Sequence, residues 1–403
     1  GAEDQAQFRF VGILRDADTQ IDEVNDDKLV IAPALTLRPA TGTEFTILAN
    51  YSEQRSDTAH QFLPVTGTLF ASASGREIDP YDYHGAPGFN AYDTDSFALT
   101  LLLEQRLSDA FSLEAVGRFV DSQADYRQAW IAFQGNGVPR IDANGDGAWT
   151  YYLADNRSEQ LAVDARLRGE FYTGPIRHEM LVGVQRQDVF TDSDTAYIFN
   201  GGTLNAFDPQ YRNVLSVDEV RRFQRNRPRN YVDSTGFYIS DQLNWGSLVA
   251  NAGVRFDSVE NRVENGTTQE DDATSLSFGL LWRGPAGISP YVSYAESFEP
   301  VVGIDTFTNR QLLPQEGRQY EAGVKWQPPG INALVTLSGF DIEVSNLPNP
   351  ASLVGGNSQQ EGISKVRGIE FEGNALIGGL RLDANASYLD AEDPNGFALT
   401  SIA

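Results

Sequence analysis

Between Ser247 and Asp257 the chain alternates without a break. Leu248, Ala250, Ala252, Val254 and Phe256 fall on one parity; Asn251, Gly253, Arg255 and Asp257 fall on the other. Leu161 to Phe171 does the same, with Leu161, Val163, Ala165, Leu167 and Phe171 against Asp164, Arg166, Arg168 and Glu170. In Leu380 to Tyr388 the polar side is Arg381, Asp383, Asn385 and Ser387. Period-two alternation over about ten residues excludes helix and specifies strands longer than the ~5–6 residues usual in globular sheets. Full charges on one face and unbroken apolar residues on the other limit the architecture further. A soluble barrel keeps its apolar side inward, whereas here the charged side fits a wet lumen and the apolar side fits lipid.

Extended along the chain, the pattern predicts fifteen strands. They fall near 7–16, 28–38, 44–55, 95–107, 111–124, 156–172, 178–191, 231–244, 247–260, 274–283, 289–298, 317–327, 332–346, 361–376 and 379–391. Their connections alternate. Turns rich in Gly, Pro, Asp and Ser are predicted at Pro39–Thr43, Ser108–Ala110, Thr173–Arg177, Trp245–Gly246, Gly284–Ile288, Pro328–Ile331 and Ile377–Gly378. Between them are long loops at 56–94, 125–155, 192–230, 261–273 and 299–316. Tight turns at one rim and long loops at the other describe an all-β, antiparallel up-and-down transmembrane β-barrel. A propeller would repeat every ~40 residues, and no such repeat is present.

Composition removes several alternatives. With 56 Asp and Glu against 30 Lys and Arg the formal charge is −26, which argues against nucleic acid as a partner. The absence of Cys excludes disulfides, thiolate metal sites and Cys nucleophiles. No run approaches the ~18 apolar residues of a membrane helix. The start, Gly1-Ala-Glu-Asp-Gln5, has neither the basic region nor the apolar core of a signal peptide.

From residue 289 the chain becomes specific. Ser289-Pro-Tyr-Val-Ser-Tyr-Ala-Glu-Ser-Phe-Glu-Pro300, Leu313-Pro-Gln-Glu-Gly-Arg-Gln-Tyr-Glu-Ala-Gly-Val-Lys325 and Val366-Arg-Gly-Ile-Glu-Phe-Glu372 follow in order. This succession closely resembles the TonB-dependent siderophore receptors of Gram-negative outer membranes, the ferrichrome-type (hydroxamate) receptors in particular. The similarity extends upstream through Ile31-Ala-Pro-Ala-Leu-Thr-Leu-Arg-Pro39 and Tyr238-Ile-Ser-Asp-Gln-Leu243. It implies a 22-stranded barrel closed by a plug, a ferric siderophore as cargo, and TonB as energy-coupling partner. On that comparison residues 1–403 are expected to be a partial receptor barrel, without the plug, the coupling box and the C-terminal strands. A passive porin, another kind of TonB-dependent transporter and a soluble secreted β protein are the rival readings. Localisation in the outer membrane, contact with lipid and lipopolysaccharide, and a monomeric state go with the first reading.

No hydrolytic or redox constellation is present, so the chain reads as a transporter and not an enzyme, with no cofactor of its own. His60, His84 and His178 are far apart in sequence. Asp142-Ala-Asn144-Gly-Asp146-Gly147 matches the first half of a calcium loop, but Leu153 stands where the bidentate Glu belongs. It is expected to be an acidic turn, with Asp142, Asn144 and Asp146 as a weak Ca²⁺ candidate. Arg221, Arg222, Arg225, Arg227 and Arg229 read either as a solvated loop balancing nearby acids or as a contact for lipopolysaccharide phosphate or an anionic ligand group. A ferric chelate brings its own metal ligands, so its receptor needs an aromatic bowl and a few hydrogen-bond donors. The family resemblance brings His60, Phe62, Trp130, Phe133 and Phe199 to that wall, with Tyr126 and Tyr197 as neighbours of opposite or unassigned facing. The family commonly carries Tyr and Trp at the places of His60 and Phe62. The alternative for each residue is an aromatic of the membrane girdle.

Overall fold

The computed structural model describes residues 5–59, 62–72, 74–133, 140–266, 268–301, 304–305, 310–354, 357–360, 363–392 and 401–402. Fifteen long strands carry the fold: β1 (Ala6–Arg15), β2 (Asp26–Ala40), β3 (Thr43–Ser56), β4 (Ala91–Arg106), β5 (Phe111–Ile131), β6 (Asp146–Thr173), β7 (Ile176–Asn205), β8 (Asn230–Trp245), β9 (Leu248–Val263), β10 (Thr268–Trp282), β11 (Ile288–Glu299), β12 (Gln315–Trp326), β13 (Asn332–Ser345), β14 (Ile363–Ile377) and β15 (Leu380–Glu392). Each pairs antiparallel with the next, and two-residue strands at 211–212 and 401–402 complete a 17-stranded sheet. Among the described residues β1 pairs on one side only, with β2. The order is a pure meander, as the alternating connections predicted.

The tight rim forms where it was expected. Thr173 pairs with Ile176 and Trp245 with Leu248, and Gly174 and Gly246 open these two-residue turns at φ +60° and +58°. The right-handed strand twist favours such turns, and a side chain would strain them.

Register turns the alternation into two surfaces. Leu167, Val182, Ile239, Val254 and Leu276 lie opposite one another across five strands. Two residues along lies the row Val184, Phe237 and Phe256. Ile239, Phe237 and Phe256 are 44%, 59% and 53% exposed, so this parity faces away from any protein core. In β9 the apolar parity runs from Leu248 to Phe256, roughly 27 Å along the strand, comparable with the ~25 Å hydrocarbon-facing band of outer-membrane barrels. The same parity then becomes charged in the row Asp188, Asp233, Glu260 and Glu270, which marks the outer edge of the band.

The other parity is an ion-paired lumen wall. Glu114 accepts from Arg166 at 2.7 Å and from Arg168 at 3.1 Å, Asp164 accepts from the Tyr238 hydroxyl at 2.8 Å, and Arg255 reaches Gln185 at 2.9 Å. Gly183 lies beneath the Tyr238 ring, where a Cβ would collide with it. These pairs are part-buried, with the Glu114 and Asp164 side chains 16% and 20% exposed, so the charges are held against one another while still touching water.

The loop side departs from expectation. The long loops foreseen at 125–155 and 192–230 are largely strand: β5, β6 and β7 reach 21, 28 and 30 residues, with β5 running to Ile131, β6 starting at Asp146 and β7 running to Asn205. The loop foreseen at 261–273 is mostly strand as well, since β9 runs to Val263 and β10 starts at Thr268. A tilted strand needs only ~9–11 residues to cross, so β6 and β7 stand well clear of the membrane. Above the band neither face touches lipid, the contrast between parities disappears, and periodicity no longer reports the strand.

The extensions carry the buried core. Ala129, Ile131, Trp149, Tyr151 and Leu153 sit on the parity that faces lipid lower down, and all are at most 1% exposed. The segments 57–90 and 206–229 cover them, contributing Ile78, Phe89, Ala206 and Val220. Trp149 stacks on Tyr211 at 6.0 Å and donates its indole N–H to the His84 carbonyl at 3.1 Å. Asn90 Oδ1 accepts from the Ala129 amide at 2.8 Å, and Tyr211 donates to the Tyr83 carbonyl at 2.7 Å. A short helix, α1 (Val217–Arg221), begins at a capping box between Ser216 and Glu219 and buries Val220.

Candidate functional site: an aromatic wall on the strand extensions

The reverse side of those extensions continues the lumen parity, so one face is packed and the other is open. Counting up β5 from Glu114 by twos reaches Tyr126, Gln128 and Trp130. Register carries the same side into β6 and β7, where Gln128 lies opposite Tyr152 and Tyr152 opposite Tyr197. The rings form a continuous series. Tyr92 meets Tyr126 at 5.7 Å, Tyr126 meets Tyr152 at 5.7 Å, and Tyr152 meets both Trp130 at 6.4 Å and Tyr197 at 4.5 Å. Trp130 also meets Tyr197 at 6.4 Å, and Tyr197 stacks on Phe199 at 5.9 Å. Such edge and offset contacts preorganise one another, each worth about 0.5–1.5 kcal/mol beyond simple burial.

Segment 57–90 supplies the lip. Phe62 sets its ring edge-on to Trp130 at 6.1 Å and to Phe133 at 5.1 Å. Its backbone is left-handed, φ +58°, a strained conformation for a side-chain-bearing residue that directs the ring toward the wall. Tyr92, Tyr197, Phe199, Phe62 and Phe133 remain exposed, whereas the Trp130 indole nitrogen is buried and has no hydrogen-bond acceptor among the described residues.

Six of the seven residues singled out for the wall therefore form one surface: Phe62, Tyr126, Trp130, Phe133, Tyr197 and Phe199. His60 lies outside the described residues. Tyr126 and Tyr197, expected to be of opposite or unassigned facing, share the parity of Trp130. Tyr92 and Tyr152 are additional members. Tyr152 was hidden because Trp149, Tyr151 and Leu153 make the other parity of its strand equally apolar; counting parity from Arg166 would have found it.

Polar groups flank both ends. At one end a cavity of about 380 Å³ is lined by Asp57, Thr58, Tyr92, Tyr126 and Gln128. Gln128 donates to the Ala59 carbonyl at 2.8 Å, and Tyr126 donates to Gln128. Burial, aided by the charge of Asp93, pushes the Asp57 carboxyl above its usual range. At the other end, beside Tyr197 and Phe199, a cavity of about 580 Å³ is bounded by Arg222, Arg225 and Arg227.

The arginine run thus divides. Arg221 pairs with Asp155 at 3.1 Å and Arg229 with Asp192 at 3.4 Å, the charge-balancing role foreseen for a solvated loop. Arg222, Arg225 and Arg227 line the cavity. The acidic 142–147 segment closes on itself: Asp142 Oδ1 accepts from the Asn144 and Asp146 amides at 2.8 and 2.9 Å, and Asp146 Oδ1 accepts from the Asn205 side chain at 3.0 Å. Among the described residues no group of three or more acidic or imidazole side chains is placed to hold a metal ion. His84 is buried in the loop core with Nε2 at 2.9 Å from the Ala206 carbonyl. His178 stacks on Phe171 and contacts Asp241 at 2.6 Å beside the tight turn.

A meander with an apolar outer belt, a charged inner face and an aromatic surface above one rim defines a β-barrel of the outer-membrane type. The chain belongs to the TonB-dependent receptor-like β-barrel family, which matches residues 36–402. The ferrichrome outer membrane transporter/phage receptor of Escherichia coli is 26% identical over 416 residues, covering 96% of this chain and 54% of that protein. The ferrioxamine B receptor of Salmonella typhimurium is 25% identical over 390 residues, covering 95% and 53%. The chain therefore spans about half the length of these curated relatives. Among solved structures, the ferripyoverdine receptor of the Pseudomonas aeruginosa outer membrane superposes with a TM-score of 0.82 at 16% identity, covering 99% of this chain and 54% of that one. The ferric-catecholate import receptor Fiu of E. coli superposes at 0.78 and 18% identity, covering 98% and 63%. At such identities the superpositions establish the fold.

Proposed function

We propose that this chain forms the ligand-receiving barrel wall of a receptor for TonB-dependent uptake of a ferric siderophore, of hydroxamate type like the cargo named for its ferrichrome and ferrioxamine relatives. The observation that carries the reading is the unbroken ring series from Phe62 through Trp130 and Tyr152 to Phe199, on the parity that continues the lumen. A compact chelate with its metal already coordinated offers rounded, partly apolar surface. Rigid aromatics bind such a surface with little entropy loss, while polar groups at the margins orient it. No step in this role makes or breaks a bond in the ligand, so binding and passage require no catalytic group. The partners proposed with it are the TonB complex as energy source, and lipid and lipopolysaccharide around a monomeric barrel.

The test is growth of an iron-starved strain whose sole hydroxamate receptor is this protein at full natural length. A ferric trihydroxamate should support growth when TonB is present and fail to do so when it is deleted. Growth independent of TonB would support the porin reading instead.

A further inference from the structure

We infer that the chelate accepted by this wall carries a negative charge on its periphery, read by Arg222, Arg225 and Arg227. The inference rests on the siderophore reading and adds the charge class of the cargo. Three hydroxamate monoanions neutralise one ferric ion, so a trihydroxamate core is neutral, and any charge a receptor can read must lie on the chelator's backbone or ends.

Three observations place the arginines for that task. First, they bound the cavity that Thr195, Tyr197 and Phe199 open on, so cations and the end of the ring series share one space. Second, the segment is fixed to the wall. Arg225 exchanges both backbone hydrogen bonds with Thr195, at 2.9 and 3.2 Å, and Arg227 donates from Nε to Thr195 Oγ1 at 3.2 Å. Third, no nearby acid forms a salt bridge with their guanidinium groups among the described residues. Asp155 takes Arg221 and Gln224, Asp192 takes Arg229, Asp194 accepts from the Arg227 backbone amide, and Glu219 is held by Ser216 with Arg222 adding only its charge at a distance. Arg222, Arg225 and Arg227 are exposed and form no ion pair among the described residues. In a chain of net charge −26, three such guanidinium groups on one cavity rim are a local reversal of sign. Guanidinium is the side chain best suited to a planar carboxylate, which it can grip through two parallel N–H donors.

The experiment uses the receptor at full natural length in detergent and one linear ferric trihydroxamate in three forms. The terminal group is a free amine, its acetamide or its succinic half-amide, so the iron core is constant and only the peripheral charge changes. The carboxylate form should bind about tenfold tighter than the amine form at low salt, as expected for a few exposed charge pairs. The gap should narrow at high salt through screening and close in R222Q/R225Q/R227Q. Arg225→Gln alone should narrow it partly, and Arg221→Gln, whose charge is already paired, should leave it unchanged. Equal affinity for the three forms, or a preference that survives the triple substitution, overturns the charge inference and leaves the siderophore reading standing. Failure of all three forms and of other ferric chelates to bind overturns both.

Discussion

At the level of single residues, parity decides environment. Val254 sits in the outward apolar row with Ile239 and Leu276, while Arg166 lies on the lumen side against Glu114. Val254→Arg should therefore cost about 2–4 kcal/mol in a complete barrel, because a guanidinium near mid-bilayer loses its hydration. Arg166→Leu should cost much less, since Glu114 keeps its second partner, Arg168, at 3.1 Å. Refolding titrations in lipid vesicles measure both, and equal costs would mean the faces are misassigned. Much of this was legible beforehand: Leu167 and Val254 could be put on the lipid side from alternation alone. The facing of Tyr126 and Tyr197 could not. Around them Ala124, Ala129, Ala154 and Ala196 occupy both parities, and small residues carry no information about which side is wet.

At the level of elements, the extensions of β5, β6 and β7 hold the site rigid by burying a second core behind it. Trp149 is fully buried, stacks on Tyr211 and ties His84 to the sheet. Trp149→Ala should cost about 3–5 kcal/mol locally. It should release amide protection in 196–206 and 76–90 while the membrane-level strands stay protected, as hydrogen exchange would show; uniform loss across the sheet would mean that the cap and barrel unfold as one. The helix at 217–221 adds a pH dependence. Hydrogen bonds from the Ser216 backbone amide and hydroxyl hold the Glu219 carboxyl below its ordinary value. A carboxylate stabilised in this way supports the fold above its unfolded pKa near ~4.3 and loses that support as pH falls through the lower folded value. Exchange at the Val220 amide, corrected for intrinsic rate, should accelerate on acidification across that window and lose the effect in Glu219→Gln. An unchanged rate would show that the cap does not hold the turn. These elements were the least legible in sequence, because outside the lipid band a strand covered by loops is apolar on both faces.

At the level of the whole molecule, the alternation, the order of short and long connections and the family motifs after residue 289 foretold the fifteen long strands and their meander, because hydrocarbon enforces strict two-faced patterning. The wall was legible in large part as a set of aromatics, and hidden as a surface because β5 and β6 run on past the band where alternation reports a strand. Its proposed role is what most needs measurement. The direct test is equilibrium binding of a ferric trihydroxamate to the full-length receptor, compared with Trp130→Ala and Tyr152→Ala and set beside thermal melts of the same proteins. Loss of a buried aromatic contact at a binding centre costs about 2 kcal/mol or more, so each variant should bind roughly 30-fold more weakly while the barrel melts as the wild type does. Variants that melt earlier yet bind the chelate as tightly as wild type would contradict the assignment of this wall to the ligand.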